Sequence, residues 1–219
     1  MSIARYIDHT QLHPAASLTD IHTLCQEALD FDFKAVCVPG SCLGIAREMV
    51  SDSGVRLAAV VGFPHGNAST EAKCCEAKAY LQSGADELDI VVNLGWLKSG
   101  KLQNVTVELK RLRGIAPDTV LKLILETCYL EEGEKVTACK LASEAGWDFV
   151  KTSTGFGTGG ATLSDVQLMK KTVGDSMQVK ASGGIRDYGT ALKFLEAGAS
   201  RIGTSSGPAI VRGENKETA

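Results

Sequence analysis

Three charged side chains interrupt segments of the chain that are otherwise apolar. Asp89 lies within Leu-Asp-Ile-Val-Val, Lys151 follows Asp-Phe-Val, and Lys180 follows Met-Gln-Val. Burying an unpaired charge is energetically costly, so each of these residues needs a partner or a chemical purpose. Taken singly, each lysine is typical of a strand-end group that reaches solvent or of one half of a structural ion pair.

The two lysines together favour a chemical role. Side by side at one edge of a sheet, each ammonium group would disfavour the positive charge of the other, which lowers a lysine pKa and exposes the amine lone pair. A neutral amine is the nucleophile that attacks a carbonyl to form a Schiff base. Asp89 could then transfer protons, directly or through a water molecule. Lys122, a fourth charge in a strand-like segment, could pair with a carboxylate or add to the same positive site.

Three loops rich in glycine and hydroxyl residues follow the last three strand-like segments. They run from Thr152 to Gly160, from Ala181 to Ile185 and from Gly203 to Gly207. Backbone amides of glycine can approach phosphate oxygens closely, and serine hydroxyls supply further donors. A single pair of glycines is more typical of a turn, whereas three such loops together indicate a phosphate site.

Eight apolar, β-branched segments alternate with amphipathic stretches, as expected for successive strand–helix units. The predicted strands are Ile7–Thr10, Lys34–Val38, Arg56–Gly62, Glu87–Asn93, Leu121–Thr127, Asp148–Ser153, Gln178–Ser182 and Arg201–Thr204. Predicted helices follow Ser17, which could cap the first of them, and begin near residues 69, 102, 132, 163 and 188. Three of these helices are expected to end on glycines in a left-handed C-cap, at Gly84, Gly146 and Gly198.

Eight such units could build an open doubly wound sheet or a closed barrel. An open sheet would place its ligand at one switch point, whereas the candidate residues stand toward the ends of several different strands. The sequence therefore predicts an α/β protein that folds as a (β/α)8 TIM barrel. We expect one domain over residues 1–219, with a polar, frayed tail from about Arg212.

The composition argues against several classes of function. The chain has 219 residues, 44% of them hydrophobic, and a net charge of −3 without a basic stripe, so nucleic acid is not an expected partner. No apolar run approaches the ~20 residues of a membrane span, and residues 1–7 lack the apolar segment of a signal peptide. Seven scattered cysteines without a Cys-x-x-Cys pair indicate reduced thiols in the cytoplasm and argue against a zinc site.

Several of these segments resemble the motifs of the deoxyribose-phosphate aldolase family. Val150–Phe156 and Val179–Arg186 resemble its two lysine motifs. Further similar segments are Ile7–Leu12, Ala35–Val38, Val61–Pro64, Glu87–Asn93, Leu121–Thr127 and Arg201–Ser206. The resemblance is collinear from about residue 5 to residue 207. It departs from the family pattern at Pro39, at His65, at Phe156 and in a tail without tyrosine.

The resemblance implies a class I aldolase that acts without a metal or an organic cofactor. Such an enzyme cleaves 2-deoxy-D-ribose 5-phosphate reversibly to D-glyceraldehyde 3-phosphate and acetaldehyde, in deoxyribose phosphate catabolism. By position, it implies Lys151 as the Schiff-base lysine, Lys180 as the group that keeps Lys151 deprotonated, and Asp89 as a proton-transfer group. The implied substrate-binding residues are Asp8, Thr10, Thr154, Gly155, Gly183, Gly184, Ser205 and Ser206. The implied assembly is a homo-oligomer, most simply a dimer.

Three rival interpretations stay open at this point. Another Schiff-base barrel enzyme could act on a different sugar phosphate. A metal-assisted isomerase or lyase could use the same fold, and a catalytically silent barrel could bind phosphate without forming an imine. Substrate choice, metal dependence and imine formation distinguish these interpretations from the aldolase.

Overall fold

Eight parallel strands close into a barrel in the computed structural model, which describes residues 2–217 apart from the side chains of residues 215 and 217. The strands are β1 (Ile7–Thr10), β2 (Ala35–Val38), β3 (Arg56–Val61), β4 (Glu87–Val91), β5 (Val120–Ile124), β6 (Phe149–Lys151), β7 (Gln178–Ser182) and β8 (Arg201–Thr204). Each strand pairs with the next, and β1 also pairs with β8, which places Asp8 opposite Gly203. The closed order confirms the predicted TIM barrel and excludes the open sheet.

Helices connect the strands on the outside of the barrel. Within residues 2–217 they are α1 (Leu18–Asp30), α2 (Leu43–Val50), α3 (Thr70–Gln82), α4 (Leu94–Lys98), α5 (Leu102–Ile115), α6 (Glu132–Glu144), α7 (Leu163–Val173), α8 (Tyr188–Glu196) and α9 (Gly207–Glu217). Ser17 caps α1 as predicted, because its hydroxyl accepts from the backbone N–H of Asp20 while its own N–H donates to the Asp20 carboxylate. The sequence did not predict α2, α4 or α9.

The loops that lead from helices into strands repeat one arrangement. Gly84, Gly146 and Gly198 each have a positive φ, of 90°, 73° and 107°, which confirms the predicted left-handed C-caps. After the first two of these glycines, Asp86 and Asp148 each accept a hydrogen bond of 2.8 Å from the backbone N–H of the second residue of the preceding strand, Leu57 and Leu121. These carboxylates fix the bottom of the barrel, away from the strand ends that carry the candidate site.

Several boundaries differ from the sequence-based prediction, and strands β4 and β5 end two and three residues earlier than predicted. Strand β6 is only Phe149–Lys151, three residues shorter than predicted, although the backbone of Asp148 and Thr152 still hydrogen-bonds to the neighbouring strands. Helix α9 continues to Glu217, beyond the Arg212 at which the sequence predicts a frayed tail. Glu214 accepts hydrogen bonds from the Ser2 hydroxyl and from the Ile3 N–H, at 2.8 and 3.0 Å, and so ties this helix to the start of the chain. Residues 218 and 219 of the predicted tail lie outside the described residues.

The hydrophobic core lies between the barrel and its surrounding helices. Outward-facing strand residues such as Leu57, Leu88 and Val150 are fully buried there. Six of the strands carry inward-facing charged residues, and these side chains fill the barrel with ion pairs instead of aliphatic side chains. Over the described range, no helix is long and apolar enough to cross a membrane.

Candidate active site

Strand register brings Lys151, Lys180 and Asp89 together inside the barrel. Lys151, the last residue of β6, is opposite Lys180 of β7. The ammonium nitrogens of both lysines donate to the same oxygen, Asp89 Oδ2, each at 2.8 Å. The three side chains that the sequence identifies as possible catalytic groups therefore share one carboxylate.

Two further residues complete the immediate surroundings of Asp89. Lys122 donates to the other carboxylate oxygen, Asp89 Oδ1, at 2.7 Å, so Lys122 is half of an ion pair. Lys180 Nζ is also 2.5 Å from Asp8 Oδ2. Lys122, Lys180, Asp8 and Asp89 are completely inaccessible to solvent, whereas Lys151 keeps 3% of its surface exposed. Lys151 is therefore the member of the group that reaches the outside.

The two neighbouring lysines have pKa values shifted in opposite directions. Burial lowers the pKa of Lys151 below its ordinary value; the Asp89 carboxylate opposes this effect, and the charge of Lys180 adds to it. Burial alone would lower the pKa of Lys180 as well, but the carboxylates of Asp8 and Asp89 outweigh burial and raise it well above the ordinary value. The geometry thus favours a permanently charged Lys180 beside a Lys151 that deprotonates more easily.

The two carboxylates stay ionised although they are buried. Burial would raise the pKa of Asp89, but the ammonium groups of Lys122, Lys151 and Lys180 together lower it well below its ordinary value. For Asp8, burial is likewise outweighed by Arg201 and Lys180, and its pKa is also lowered. At neutral pH both side chains accept hydrogen bonds and supply negative charge.

A cavity of about 380 Å³ opens over the carboxyl ends of the strands. Lys151 forms part of its wall, while the other two lysines around Asp89 lie beneath it. The remaining wall is formed by the last residues of β1, β7 and β8 and by the loops after β1, β6, β7 and β8, which include Gln11, His13 and Arg186. This position is where TIM barrels bind their substrates.

The glycine-rich loops adopt backbone conformations that suit an anion. Gly155, Gly183 and Gly184 line the cavity with positive φ angles of 88°, 92° and 84°. Gly160 lies so close to the next loop that a Cβ atom on it would be 2.3 Å from the carbonyl oxygen of Gly183. Because these glycines have no side chains, the loops can pack tightly, and backbone amides in such loops can approach an anion closely.

Comparison with known proteins agrees with this geometry. The family model of the DeoC/LacD aldolases matches residues 2–213 of this chain. The chain belongs to the DeoC/LacD aldolase family. The deoxyribose-phosphate aldolase of Thermococcus gammatolerans is 54% identical over 97% of this chain and 96% of its own length. That of Carboxydothermus hydrogenoformans is 51% identical over 96% of this chain and 94% of its own. A tetrameric deoxyribose phosphate aldolase structure from Aeropyrum pernix superposes with a TM-score of 0.88 at 34% identity, covering 99% of this chain and 92% of that one.

Most of the predicted substrate-binding residues of this DeoC/LacD aldolase border the cavity. They are Thr10, Thr154, Gly155, Gly183, Gly184 and Ser205. Asp8 and Ser206 lie outside the cavity wall. Asp8 is held underneath by Lys180, and the backbone N–H of Ser206 donates to the hydroxyl of Thr204 at 2.9 Å. Direct contact with a ligand is therefore better supported for Ser205 than for Ser206.

One supporting residue of the aldolase site was missed by the sequence reasoning. Glu126 follows β5 with a positive φ of 52°, and its buried carboxylate accepts hydrogen bonds from the backbone N–H of Thr154, at 3.1 Å, and from the Thr154 hydroxyl. Thr154 in turn accepts from the N–H of Phe156 at 3.0 Å. Glu126 therefore fixes the loop that follows Lys151. In the sequence Glu126 stands near the end of the predicted strand Leu121–Thr127, a position that does not distinguish it from a strand-end residue that reaches solvent.

Glu87 and Arg201 were also missed, although both are buried inside the barrel. Lys122 Nζ is 2.5 Å from Glu87 Oε2, and the Arg201 guanidinium donates to the same oxygen at 3.0 Å. Arg201 Nε also donates to Asp8 Oδ1 at 2.7 Å. Each is the first residue of its strand, a position at which a charged residue usually reaches solvent.

The positions that depart from the family pattern lie around the rim. Phe156 is half-exposed and meets the Phe63 ring edge-on, with the ring centroids 5.4 Å apart. His65 is exposed, and Pro39 is half-buried. Of these residues, Phe156 lines the same cavity as Lys151, whereas Pro39 and His65 do not. Cys37 of β2 packs beside Ala58 and is fully buried, as expected for a packing residue.

Proposed function

We propose that this chain is a deoxyribose-phosphate aldolase that uses Lys151 as its Schiff-base lysine. The observation that carries the proposal is the asymmetry of the lysine pair. Lys151 alone of the pair faces the cavity, and its pKa is lowered by burial and by the adjacent Lys180. The relatives that share about half of their residues with this chain over nearly its full length carry the same enzyme name.

The first half of the reaction forms an imine. The neutral amine of Lys151 attacks the aldehyde carbon of open-chain 2-deoxyribose 5-phosphate to give a carbinolamine. The carbinolamine hydroxyl takes up a proton from solvent water and leaves as water, which gives an iminium ion. Lys151 therefore gains a fixed positive charge during this step. Asp89 Oδ2, 2.8 Å from the Lys151 nitrogen, stabilises that charge.

The second half breaks the C2–C3 bond. Removal of the C3 hydroxyl proton releases glyceraldehyde 3-phosphate, and the electron pair of the broken bond moves into the iminium to form a neutral enamine. Protonation of the enamine and hydrolysis of the imine release acetaldehyde and restore the amine. We assign Asp89 to proton transfer through a water molecule. Its strongly lowered pKa suits it to relay a proton and not to store one.

The phosphate is assigned to the loops after β6, β7 and β8. Backbone amides near Gly155, Gly183 and Gly184 and the hydroxyl of Ser205 border the same cavity as Lys151. Such a clamp, remote from the reacting bond, orients the substrate. Thr10 and Thr154 line the same cavity, and we assign them to the sugar hydroxyls.

We also propose an oligomeric state and a cellular compartment for this chain. We infer a homo-oligomer, with the dimer as its simplest form, while the Aeropyrum pernix relative is described as a tetramer. The seven cysteines are all free in the structure, which supports a reducing compartment such as the cytoplasm. Light scattering on the purified chain would measure the assembly directly.

Trapping the imine tests the proposed function. Borohydride reduction in the presence of acetaldehyde should leave an ethyl group on Lys151, detected by peptide mass mapping. The purified chain should also form deoxyribose 5-phosphate from acetaldehyde and glyceraldehyde 3-phosphate. With unphosphorylated glyceraldehyde, kcat/KM should fall on the order of 100-fold or more, because the clamp is unused.

Each result separates the proposal from a rival. An ethyl adduct without deoxyribose 5-phosphate would indicate a Schiff-base enzyme for a different sugar phosphate. Activity that is lost in EDTA and restored by zinc would indicate metal-assisted chemistry. Full activity with an unmodified Lys151 would refute the mechanism.

Replacing Lys180 with leucine should raise the pKa of Lys151. The substitution removes a neighbouring positive charge and leaves Asp89 more available to Lys151, and both effects favour the protonated amine. The acid limb of kcat/KM should therefore move to higher pH. Lys171→Leu, on the exposed side of α7, is the matched control. An unmoved acid limb in a folded Lys180→Leu variant would count against the role assigned to Lys180.

A further inference from the structure

The charges inside the barrel form a closed ring of alternating sign. Starting at Asp8, ion pairs lead to Lys180 at 2.5 Å, then to Asp89 at 2.8 Å, and then to Lys122 at 2.7 Å. The ring continues to Glu87 at 2.5 Å and to Arg201 at 3.0 Å, and it returns to Asp8 through Arg201 Nε at 2.7 Å. Six side chains from five strands are thus joined without a gap, and Lys151 attaches to the ring from outside, through Asp89.

The ring fixes a charge balance around Lys151. It contains three carboxylates, those of Asp8, Glu87 and Asp89, and three cations. With all six members ionised the ring is neutral. The ring and Lys151 together are therefore neutral when Lys151 is an amine, and they carry one positive charge when Lys151 is an ammonium ion. Excess charge in a buried site is unfavourable. The balance therefore favours the amine that the proposed reaction needs.

Two ring members have no part in the proposed chemistry. Glu87 and Arg201 are the first residues of β4 and β8, lie beneath the cavity and do not touch it. The Arg201 guanidinium carbon lies 5.8 Å from the centre of the Phe149 ring, in the layer below Lys151. Maintaining this buried pair has an energetic cost that two apolar residues would avoid.

We propose that Glu87 and Arg201 are positioning residues that close the ring and thereby set the charge state of Lys151. The proposal rests on the proposed function, since it explains how a buried lysine is kept ready to form an imine. The proposal predicts that neutralising Glu87 and neutralising Arg201 shift the charge state of Lys151 in opposite directions, because the two residues contribute charges of opposite sign to one neutral ring.

The side chains that face Lys151 directly must stay unchanged in an experiment on its charge state. They are Asp89 from β4, Lys180 from β7 and the thiol of Cys37 from β2, and none of these is changed. Lys122 of β5 and Asp8 of β1 act on Lys151 through Asp89 and Lys180. Substitutions at Glu87 and Arg201 therefore change the total charge without removing a direct contact of Lys151.

The reactivity of Lys151 should be measured by trace labelling with acetic anhydride, followed by peptide mass spectrometry. Exposed Lys171 in the same chain serves as the internal standard. At a fixed pH below the pKa of Lys151, Glu87→Gln should raise the relative labelling rate by about three- to tenfold, because a negative charge is lost. Arg201→Met should lower it by a similar factor, because a positive charge is lost.

Two further variants separate charge from structure. The double variant Glu87→Gln/Arg201→Met restores a neutral ring and should return the labelling rate to within about twofold of the original. Arg201→Lys keeps the positive charge and should also leave the rate close to the original. If Arg201→Met does not fold, comparison of Glu87→Gln with the double variant and with Arg201→Lys still decides the question.

The proposal is overturned if the folded single variants shift Lys151 labelling in the same direction or not at all, or if the double variant is no closer to the original than Glu87→Gln. The labelling needs no substrate, so its outcome is independent of the imine-trapping test. A chain that forms no imine yet shows opposite labelling shifts would retain the ring mechanism and lose the proposed function.

Discussion

Replacing Lys151 with arginine should reduce kcat for cleavage of deoxyribose 5-phosphate on the order of 10⁴-fold or more. Arginine keeps the positive charge and can still donate to Asp89. However, its guanidinium does not deprotonate in proteins, so it has no lone pair to attack a carbonyl. The loss should therefore appear in kcat, and borohydride reduction with acetaldehyde should give no adduct at position 151.

The fold should survive the loss of this lysine. Asp89 retains Lys122 and Lys180 as partners, so no buried carboxylate becomes unpaired. A second variant, Lys151→Met, preserves the approximate volume and removes the charge, and its free energy of unfolding should stay within about 1.5 kcal/mol of the original. Lys171→Arg on the exposed surface of α7 should leave kcat unchanged. Retention of even one per cent of kcat in a folded Lys151→Arg sample would argue against an imine at this position.

The barrel was predictable because its strands are apolar runs at regular spacing. The candidate site could be located because charges interrupt those runs. Asp89, Lys151 and Lys180 stand where an apolar residue is expected, and the structure brings them together around one oxygen. Their burial made them informative, since a charge in such a strand needs a partner. The loop glycines were also informative in the sequence, because glycine is the residue that most readily adopts a positive φ. Several of these glycines have a positive φ in the structure.

Two of the three helices that the sequence did not reveal, α2 and α9, lack a local signal. Helix α2 begins at Leu43 without a side-chain cap, and α9 opens with Gly207 and Pro208, which are typical of a turn. Glu87 and Arg201 are first residues of strands, and 114 positions separate them in the chain. Only closure of the barrel makes them neighbours, so their pairing depends on tertiary structure that single-sequence reasoning did not supply.

Replacing Asp89 with asparagine should cause the largest loss of stability of any substitution inside the barrel. The amide is nearly isosteric, but it removes the negative charge that Lys122, Lys151 and Lys180 share at 2.7 to 2.8 Å. Removing one partner from a buried ion pair costs about 3–5 kcal/mol, because the remaining charge stays buried without compensation. Activity should fall on the order of 100-fold or more in the fraction that remains folded, since the iminium loses its counter-charge.

The pH dependence of this loss has a definite sign. The folded-state pKa of Asp89 lies well below its unfolded-state value, so its contribution to stability is present above the unfolded value and is lost as pH falls toward the folded value. The difference in unfolding free energy between the original chain and Asp89→Asn should therefore stay constant from pH 7 to about pH 5 and narrow below about pH 4. Urea unfolding across this range measures it, with Asp175→Asn on the exposed surface as the control. A difference that grows on acidification would mean that Asp89 is not held ionised by its three lysines.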